Sequence, residues 1–200
     1  MADNATTITA AIARYRQEPL RGRIVDLVPY IADHHARVVE LRNSPKACYF
    51  LHQETALTLA MQRQWYADYL RRSDDLYWVV AAKSGQIIGT NRIYDISADQ
   101  LEKGSLVIDE EFARGAPYAL ESDLLAMRFA FDVLRVQRII TAVRADNAKM
   151  QSMNARFGFR QTGERLVRGV SYPVYELEHG DFEPRPFASI IDYWSTRREH

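Results

Sequence analysis

The sequence predicts a single α/β domain in which helices flank a mixed β-sheet, an α+β arrangement, and three observations lead to this prediction. Its 200 residues, 47% of them apolar and 26% charged, suit one domain with its own core. Segments with strand-like and helical periods follow one another in the order β, α, α, β, β, β, α, β, α, β, β. No repeat, low-complexity segment or linker divides them.

A terminal helix, one strand and two further helices are predicted in the first part of the chain. Their ranges are residues 6–17, 23–28, 33–42 and 55–72. The first helix has one apolar face, which indicates an extension packed onto the body of the domain. Pro29 closes the strand, and the run Asn43-Ser44-Pro45 breaks the chain between the last two helices.

Three strands are predicted in the middle of the chain, at residues 77–82, 87–96 and 104–108. The first two form a hairpin because Lys83-Ser84-Gly85-Gln86 supplies a turn, with glycine where a positive φ is needed. A polar loop separates the second strand from the third.

The second half is predicted to contain a long helix, a strand, a shorter helix and a hairpin. Their ranges are residues 118–134, 138–143, 147–157, 161–168 and 171–177. A stripe of apolar residues at three- and four-residue steps marks the long helix: Leu120, Leu124, Met127, Phe131 and Leu134. Gly158 ends the shorter helix, and Gly169 turns the hairpin.

The single domain, 1–200, is divided into an N-terminal extension, a core and a C-terminal helical tail. These are residues 1–22, 23–178 and 179–200. The aromatic residues Phe187, Tyr193 and Trp194 make the tail larger than a capping helix requires. Because exposed apolar patches often mark partner surfaces, the tail favours a homodimer.

Composition argues against several classes of protein. Twenty-six Lys and Arg residues balance 26 Asp and Glu residues, whereas a dedicated nucleic-acid binder usually has a basic excess. The lone cysteine, Cys48, excludes an intrachain disulfide framework and a cysteine-based zinc site. The N-terminus does not have the pattern of a secretory signal, and no apolar run approaches the ~20 residues of a membrane span. We therefore expect a cytoplasmic protein without a membrane partner.

The stretch Arg114-Gly115-Ala116-Pro117-Tyr118-Ala119 carries most functional information. It joins an apolar strand-like run to the start of the long helix. Unpaired backbone N–H groups and the positive end of the helix dipole meet at such a joint. The pattern predicts an anion site that suits a phosphate.

Three motifs occur in the order and spacing of a known superfamily. Residues 114–119 resemble its Arg/Gln-x-x-Gly-x-Gly/Ala loop, and Asp146-Asn147 ends a strand and opens a helix. Arg156-Phe157-Gly158-Phe159 is similar to its Lys-Leu-Gly-Phe at the close of that helix. With the element order, these motifs resemble the GNAT superfamily of acetyl-CoA-dependent N-acetyltransferases over roughly residues 23–178.

A finer resemblance lies upstream. Leu41-Arg42-Asn43-Ser44, followed by Gln62-x-x-Trp65, resembles the branch that contains ribosomal-protein alanine acetyltransferases and bacterial amino-sugar N-acetyltransferases. This resemblance implies that Arg42 lies near the acceptor cleft, where it pairs with a carboxylate or phosphate of the substrate. An internal salt bridge is the alternative role for Arg42.

The superfamily resemblance implies a central, mostly antiparallel sheet of six to seven strands, splayed between its fourth and fifth strands. Acetyl-CoA is the implied co-substrate, and its pantetheine arm is expected in the gap between those strands. The arm is expected to pair as an added strand with the backbone of Leu106-Val107-Ile108 and to bond Asn147. The diphosphate is expected on the loop Arg114-Gly115-Ala116-Pro117-Tyr118-Ala119.

The sequence departs from the superfamily pattern at three places. Pro117 replaces a glycine and has no N–H to offer, although its fixed φ suits a first helical turn. One residue more than usual separates Ile108 from Arg114, which predicts a kink or bulge there. In many members a tyrosine protonates the leaving thiolate, and Asn154 stands at that position. Others use a serine as this acid, and Met150 stands at that position.

Candidates for the general base follow from where the superfamily places the acceptor amine. They are Tyr94, Asp95 and Glu102; Tyr94, Glu102 and Asn154 are taken as the catalytic set. For each singly, packing or a solvated surface is the alternative. The acceptor is expected to contact Arg42, His52, Trp65 and Arg92, although His52 equally fits a packed or surface histidine.

Two classes of function remain open at this stage. The first is an N-acetyltransferase acting on the primary amine of a small acceptor, with a nucleotide-linked amino sugar favoured over a protein N-terminus. The second is a catalytically weak acyl-CoA-binding module, suggested by Pro117, Met150 and Asn154. A donor with a different acyl group is a third alternative.

Overall fold

One eight-stranded sheet organises the chain in the computed structural model, which describes residues 2–51 and 53–197 and the side chains of 6–51 and 53–197. The strands are β1 (Leu20–Arg21), β2 (Val25–Pro29), β3 (Leu76–Ala82), β4 (Ile87–Tyr94), β5 (Gln100–Ile108), β6 (Arg138–Ala142), β7 (Arg160–Val167) and β8 (Val170–Glu178). Their order in the sheet is β1-β2-β3-β4-β5-β6-β8-β7. This is one strand more than predicted, because the two-residue strand β1 pairs antiparallel with β2.

Seven α-helices are present in the described part of the chain. They are α1 (Ala2–Tyr15), α2 (His35–Arg42), α3 (Pro45–Phe50), α4 (Leu59–Tyr69), α5 (Tyr118–Arg128), α6 (Ala148–Arg156) and α7 (Arg185–Thr196). Short 3₁₀ turns lie at Ala32–His34 and His179–Asp181, and a π-helical turn at Phe129–Val133 follows α5. No helix within the described residues combines the length and the apolar character needed to cross a membrane.

The sheet is mixed and opens at the parallel pair formed by its described strands β5 and β6. Strands β5 and β6 are parallel and pair at Gln100↔Arg138, Leu101↔Ile139 and Glu102↔Ile140. Beyond Glu102 the register between these two strands stops, although β5 continues to Ile108. These are the fourth and fifth of the predicted strands, so the expected splay is present.

A β-bulge in β5 lies at the start of this opening. Thr90 pairs with Val107 and Arg92 with Gly104, so three steps along β5 oppose two along β4. Ser105, inside the bulge, has a φ of 55°. A bulge bends its strand and increases the local twist, which turns the end of β5 away from β6.

The two faces of the sheet bury separate clusters. Helices α1, α5, α6 and α7 cover one face, and the main core lies there around Trp78, Phe131 and Phe157. Helices α2 and α4 cover the other face through a smaller, aromatic cluster around Tyr30 and Tyr77. Helices α5 and α6 begin beside the opening between β5 and β6.

Several predicted boundaries were wrong for local reasons. The predicted break at Pro45 is a helix start, because Ser44 caps α3 and proline suits the first helical position. The predicted strand 104–108 begins at Gln100, since its polar residues pair with β4 and β6. The predicted helix 118–134 keeps α geometry only to Arg128.

The tail is a capping helix of the core. In α7, Phe187 and Ile191 are buried, and the Phe187 ring lies 4.2 Å from that of Phe157. Tyr193 remains 52% exposed. The apolar face of the tail is therefore largely used within the chain, and the homodimer stays a prediction.

Candidate functional site

Two adjoining cavities occupy the opening between β5 and β6. The larger, of about 680 Å³, runs past the end of β5 to the first turns of α5 and α6. The smaller, of about 90 Å³, lies between the separated strands and is lined by 103–106 and 141–144. Both are lined by Phe50, Leu51, Leu106, Asn147 and Met150. Together they form a continuous cleft from the loop before α5 to the point where the strands part.

The loop before α5 folds into tight turns that use part of its hydrogen-bonding capacity. The N–H of Gly115 donates to Phe112 (2.9 Å) and that of Tyr118 donates to Ala116 (2.8 Å). Pro117 has φ −77° and ψ 49°, the conformation of the inverse γ-turn that closes this second bond. Two amides expected at the anion site are thus internally bonded, and the expected kink is a set of turns.

Other amides of the same joint are available. Among described residues, the N–H groups of Ala116, Ala119 and Leu120 have no hydrogen-bond acceptor. Ala116, Pro117, Tyr118, Ala119 and Leu120 line the larger cavity. The first turn of α5 therefore presents unsatisfied donors and its positive dipole end to the cavity, as an anion site requires. The side chain of Arg114 is exposed nearby.

The end of β5 offers a free backbone edge to the gap. Asp109 donates its N–H to Ile88, and the Val107 carbonyl lies so close to Gly89 that a Cβ there would sit 2.2 Å from it. In an antiparallel pair, residues alternate between facing and turning away from the partner strand. We infer that Leu106 and Ile108 turn their N–H and C=O groups toward the gap.

Asn147 lies where both cavities meet. Its side-chain oxygen accepts the N–H of Met150 (3.2 Å), so it caps α6. Its amide nitrogen has no acceptor in the described structure and lies in a residue that lines both cavities. Capping thus fixes the orientation of the side chain and leaves a donor for a ligand.

Three cations line the larger cavity, beside the carboxylates Glu110 and Asp146, at positions that sequence reasoning did not assign to the site. Lys46, Lys149 and Arg156 line it, from α3 and α6. None of the three has an ion-pair partner in the described part of the chain. Only the fold reveals the cluster, because Lys46 lies about a hundred positions from Lys149 and Arg156 in sequence.

Two predicted catalytic residues, Tyr94 and Glu102, form a connected pair beside the end of the β5–β6 pairing, and neither lines either cavity. Tyr94 and Glu102 are cross-strand partners, and the Tyr94 hydroxyl donates to Glu102 Oε1 at 2.7 Å. Arg165 of β7 donates to both oxygens of the same carboxylate, at 2.9 and 2.8 Å. Burial, and then the Glu102 charge, raise the pKa of Tyr94. Tyr94 therefore remains a donor at neutral pH.

The third predicted catalytic residue lies elsewhere. Asn154 is fully buried in α6 and lines neither cavity. Both polar atoms of its side chain are without a hydrogen-bond partner in the described structure. Met150, one turn earlier, lines both cavities and has no acidic proton. The two positions where the superfamily has its acid, 150 and 154, therefore present none to the gap, whereas the hydroxyl-bearing Ser152 of α6 lines the larger cavity.

Two predicted acceptor contacts are engaged within the protein. Arg92 donates through Nε to Oδ1 of the fully buried Asp75 at 2.9 Å and through Nη2 to its other oxygen. Its guanidinium also lies 5.4 Å from the Trp65 ring centre and 4.6 Å from that of Tyr94. Trp65 stacks on Tyr69 at 5.3 Å. Arg92 and Trp65 therefore shape the wall behind Tyr94 and line neither cavity.

Arg42 lines neither cavity, and its role as an acceptor contact stays a prediction. It is half-buried at the end of α2, two residues before the cavity-lining Ser44. Its side chain makes no ion pair with any described residue, so the alternative of an internal salt bridge finds no support there. His52, the remaining predicted acceptor contact, lies outside the described residues.

A side-chain clasp joins the two sides of the cleft and was not predicted. The Tyr49 hydroxyl of α3 donates to Asp146, and Arg144 bonds the other oxygen of Asp146 at 2.9 Å. The Arg144 guanidinium lies 3.9 Å from the Tyr49 ring centre. Chiefly the Tyr49 hydrogen bond lowers the pKa of Asp146. The clasp holds α3 over the gap as a cover.

Comparison with known proteins agrees with this geometry. The model of the acetyltransferase (GNAT) domain family matches residues 25–160, more than half of the sequence. The chain belongs to the GNAT acetyltransferase family and is an acyltransferase. No curated protein matches it significantly.

Solved structures with the same fold have varied substrates in their names. A GCN5-related N-acetyltransferase from Brucella melitensis is 23% identical, with 90% of this chain and 86% of that chain covered and a TM-score of 0.72. FdhC, a nucleotide-linked sugar GNAT, is 18% identical (87% and 98% covered, TM-score 0.73). Spermidine N-acetyltransferase from Vibrio cholerae, solved with CoA and spermine, is 15% identical (80% and 98%, 0.72). At these identities the likeness extends to the fold.

Proposed function

We propose that the protein transfers an acetyl group from acetyl-CoA to the primary amine of a small, negatively charged acceptor, a nucleotide-linked amino sugar being the favoured class. The observation that carries this proposal is the cleft itself. The register between β5 and β6 stops after Glu102, and a cavity of about 680 Å³ leads from that point to the unsatisfied amides before α5. An extended thioester with an anionic head group has the matching shape and charge.

The coenzyme is assigned to the larger cavity. Its diphosphate fits the amides of Ala116, Ala119 and Leu120, and its remaining phosphate suits the unpaired cations Lys46, Lys149 and Arg156. The amides of the pantetheine arm fit the free edge at Leu106 and Ile108, as in strand addition. Asn147 supplies a further donor near the sulfur end.

Glu102 is assigned as the base. It is the last residue of β5 paired with β6, and Tyr94 and Arg165 fix its carboxylate. Glu102 removes a proton from the acceptor, directly or through one water, so that the neutral amine can attack. A bond forms from the amine nitrogen to the thioester carbonyl carbon. The carbon–sulfur bond then breaks, its electron pair goes to sulfur, and the nitrogen's proton ends on the thiol.

No protein acid is required for this reaction. A thiolate is a good leaving group, so most of the rate can come from holding the amine and the thioester in register. The absence of the superfamily's acid at positions 150 and 154 is therefore compatible with turnover. The alternative, an acyl-CoA-binding module, rests on Met150 and Asn154.

The charge around Arg42 favours an anionic acceptor over a polyamine. Arg42 is an unpaired cation beside the cover helix α3, whereas Glu54 is engaged by Arg168 and Glu102, the assigned base, is already held by Arg165. Glu110 lines the larger cavity without an ion-pair partner among the described residues, but this cavity is assigned to the coenzyme. A polyamine acceptor needs free carboxylates, and a sugar nucleotide needs a cation for its phosphates. A protein N-terminus is the alternative acceptor.

Thiol release from acetyl-CoA, measured with UDP-linked amino sugars, polyamines and peptides ending in alanine, tests the proposal. We expect turnover with a phosphate-bearing amino sugar. Turnover with polyamines or peptides alone would overturn the acceptor assignment. Calorimetric binding of acetyl-CoA without turnover of any amine would support the binding module, and no binding of acetyl-CoA would refute both.

A further inference from the structure

A buried ion pair lies at the closed end of the gap. Lys103 Nζ lies 2.7 Å from Asp123 Oδ2, and the two side chains are 3% and 1% exposed. Lys103 follows the last residue of β5 that pairs with β6, and Asp123 lies in α5. Both residues line the smaller cavity of about 90 Å³. The ion pair therefore forms part of the wall at the point where the strands part.

Strand alternation puts this pair on the opposite side from the acceptor. Successive residues of a strand point to opposite faces of the sheet, so Lys103 and Glu102 face opposite ways. Glu102 meets Tyr94 and Arg165, while Lys103 meets α5. An amine activated by Glu102 approaches the thioester carbonyl carbon from one face of the sheet. Lys103 lies on the other face, where it meets the rest of the acyl group.

Further polar groups lie around the ion pair: Asn91 behind it, away from the cavity lining, and Thr141 in the lining itself. Asn91 donates to Asp123 at 3.2 Å and to Ser122 at 2.9 Å, and both of its partners are buried. Thr141 of β6 is 3% exposed and also lines the smaller cavity. A wall that met only the methyl of an acetyl group would be expected to be apolar.

Burying the Lys103–Asp123 ion pair does not by itself make the fold more stable than an apolar pair would. Taking two charges out of water carries a desolvation penalty, and a well-packed apolar pair of similar volume is often at least as stable. A void that holds one water needs only about 10–15 Å³ of comparable volume. At about 90 Å³, the smaller cavity has room beyond the two carbons of an acetyl group.

We propose that Lys103, Asp123 and Thr141 form the end wall of the acyl pocket and select a short acyl group that carries a hydroxyl on its far carbons. This inference rests on the proposed transferase function and replaces acetyl-CoA, as the preferred donor, with a hydroxyacyl-CoA. A hydroxyl can accept from Lys103 and donate to Asp123 without adding charge. A terminal carboxylate would add a negative charge beside Asp123, and an unsubstituted chain would leave the polar wall facing methylene groups.

The test compares coenzyme A donors of matched length. Acetyl-, butyryl-, 3-hydroxybutyryl- and succinyl-CoA are compared by kcat/KM with whichever amine is turned over, and their non-reactive thioether analogues by calorimetric Kd. We expect 3-hydroxybutyryl to exceed butyryl by roughly tenfold or more in both measurements. Equal values, or a preference for butyryl, would overturn the inference while leaving transferase activity intact.

A paired replacement identifies the residues. Lys103→Met with Asp123→Leu replaces the ion pair by an apolar pair of similar size, and we expect it to reverse the preference toward butyryl. Thr141→Val, which removes one hydroxyl, is expected to reduce the preference for 3-hydroxybutyryl over butyryl without reversing it. Arg160→Met with Asp181→Leu removes a surface ion pair (3.0 Å) and serves as the control.

The outcomes separate the two proposals. A folded Lys103→Met/Asp123→Leu variant that keeps the wild-type ratio would refute the role of the pair. If that variant fails to fold, the preference for 3-hydroxybutyryl over butyryl, compared between Thr141→Val and the wild type, still decides whether the end wall selects the acyl group. If no thioether analogue binds the wild type, the transferase proposal fails as well.

Discussion

Glu121 offers a stringent test of how helix α5 is held beside the cleft. Its buried carboxylate in the first turn of α5 accepts the N–H groups of Arg23 (2.7 Å), Ile24 (2.7 Å) and Val25 (2.8 Å). One oxygen takes the two buried donors, and the other takes the partly exposed donor of Arg23. The side chain thus ties the start of β2 to the helix that presents its amides to the cleft.

Replacing Glu121 with glutamine keeps the shape and removes the charge. Hydrogen bonds to a charged group contribute about 1.5–3 kcal/mol, and neutral ones about 0.5–1.5 kcal/mol. Two bonds weakened by about 1 kcal/mol each, and an NH₂ group set against the Arg23 N–H for about another 1 kcal/mol, give a loss of about 3 kcal/mol.

Urea denaturation followed by circular dichroism measures this change in the free energy of unfolding. Glu111→Gln is the control, because Glu111 is exposed in the loop before α5, and we expect it to stay within about 0.5 kcal/mol of wild type. A loss below about 1 kcal/mol in Glu121→Gln would refute the reasoning, since it would mean that water or a rearranged loop satisfies the three donors.

Three further predictions concern the site and the acid response. Glu102→Gln should lower kcat at least about 100-fold while the Kd for acetyl-CoA changes little; an unchanged kcat would remove Glu102 as base. Arg42→Ala should raise KM for a phosphate-bearing acceptor roughly tenfold and leave KM for acetyl-CoA unchanged, and a rise in both would place Arg42 on the coenzyme. Burial lowers the pKa values of His34 and His35 below the ordinary 6.5, so their contribution to stability is complete above that pH and lost as pH falls through the folded-state values. The melting temperature should therefore fall between pH 7 and pH 5, less so in His34→Gln/His35→Gln, and equal slopes would contradict this assignment.

The parts of the fold that could be predicted from sequence are those with local signals. The apolar stripe of α5, the turn at Gly85 and the cap of α6 at Asn147 each depend on residues within a few positions. The start of β5 could not be found in this way, because its polar residues are extended through pairing with other strands, Gln100 with β6 and Glu102 with both β4 and β6.

The site was predictable in outline and not in its electrostatics. The loop before α5 and the gap between β5 and β6 follow from motif and element order, and Tyr94 and Glu102 do lie together. Arg92 was predicted to bind substrate, yet Asp75, 17 positions away, holds it behind the wall. Sequence shows which residues carry charge, whereas packing decides which charges are already neutralised within the chain.

The brief junction between β5 and β6 has a mechanical consequence. Three residue pairs between β5 and β6 join the part of the sheet formed by β1 to β5 to the part formed by β6, β8 and β7. A thioester lying along the free edge of β5 would bridge the gap between β5 and β6 and restrict the motion of the two parts of the sheet relative to each other. Amide hydrogen exchange should then slow on both flanking strands when coenzyme binds, including at positions that no ligand atom touches.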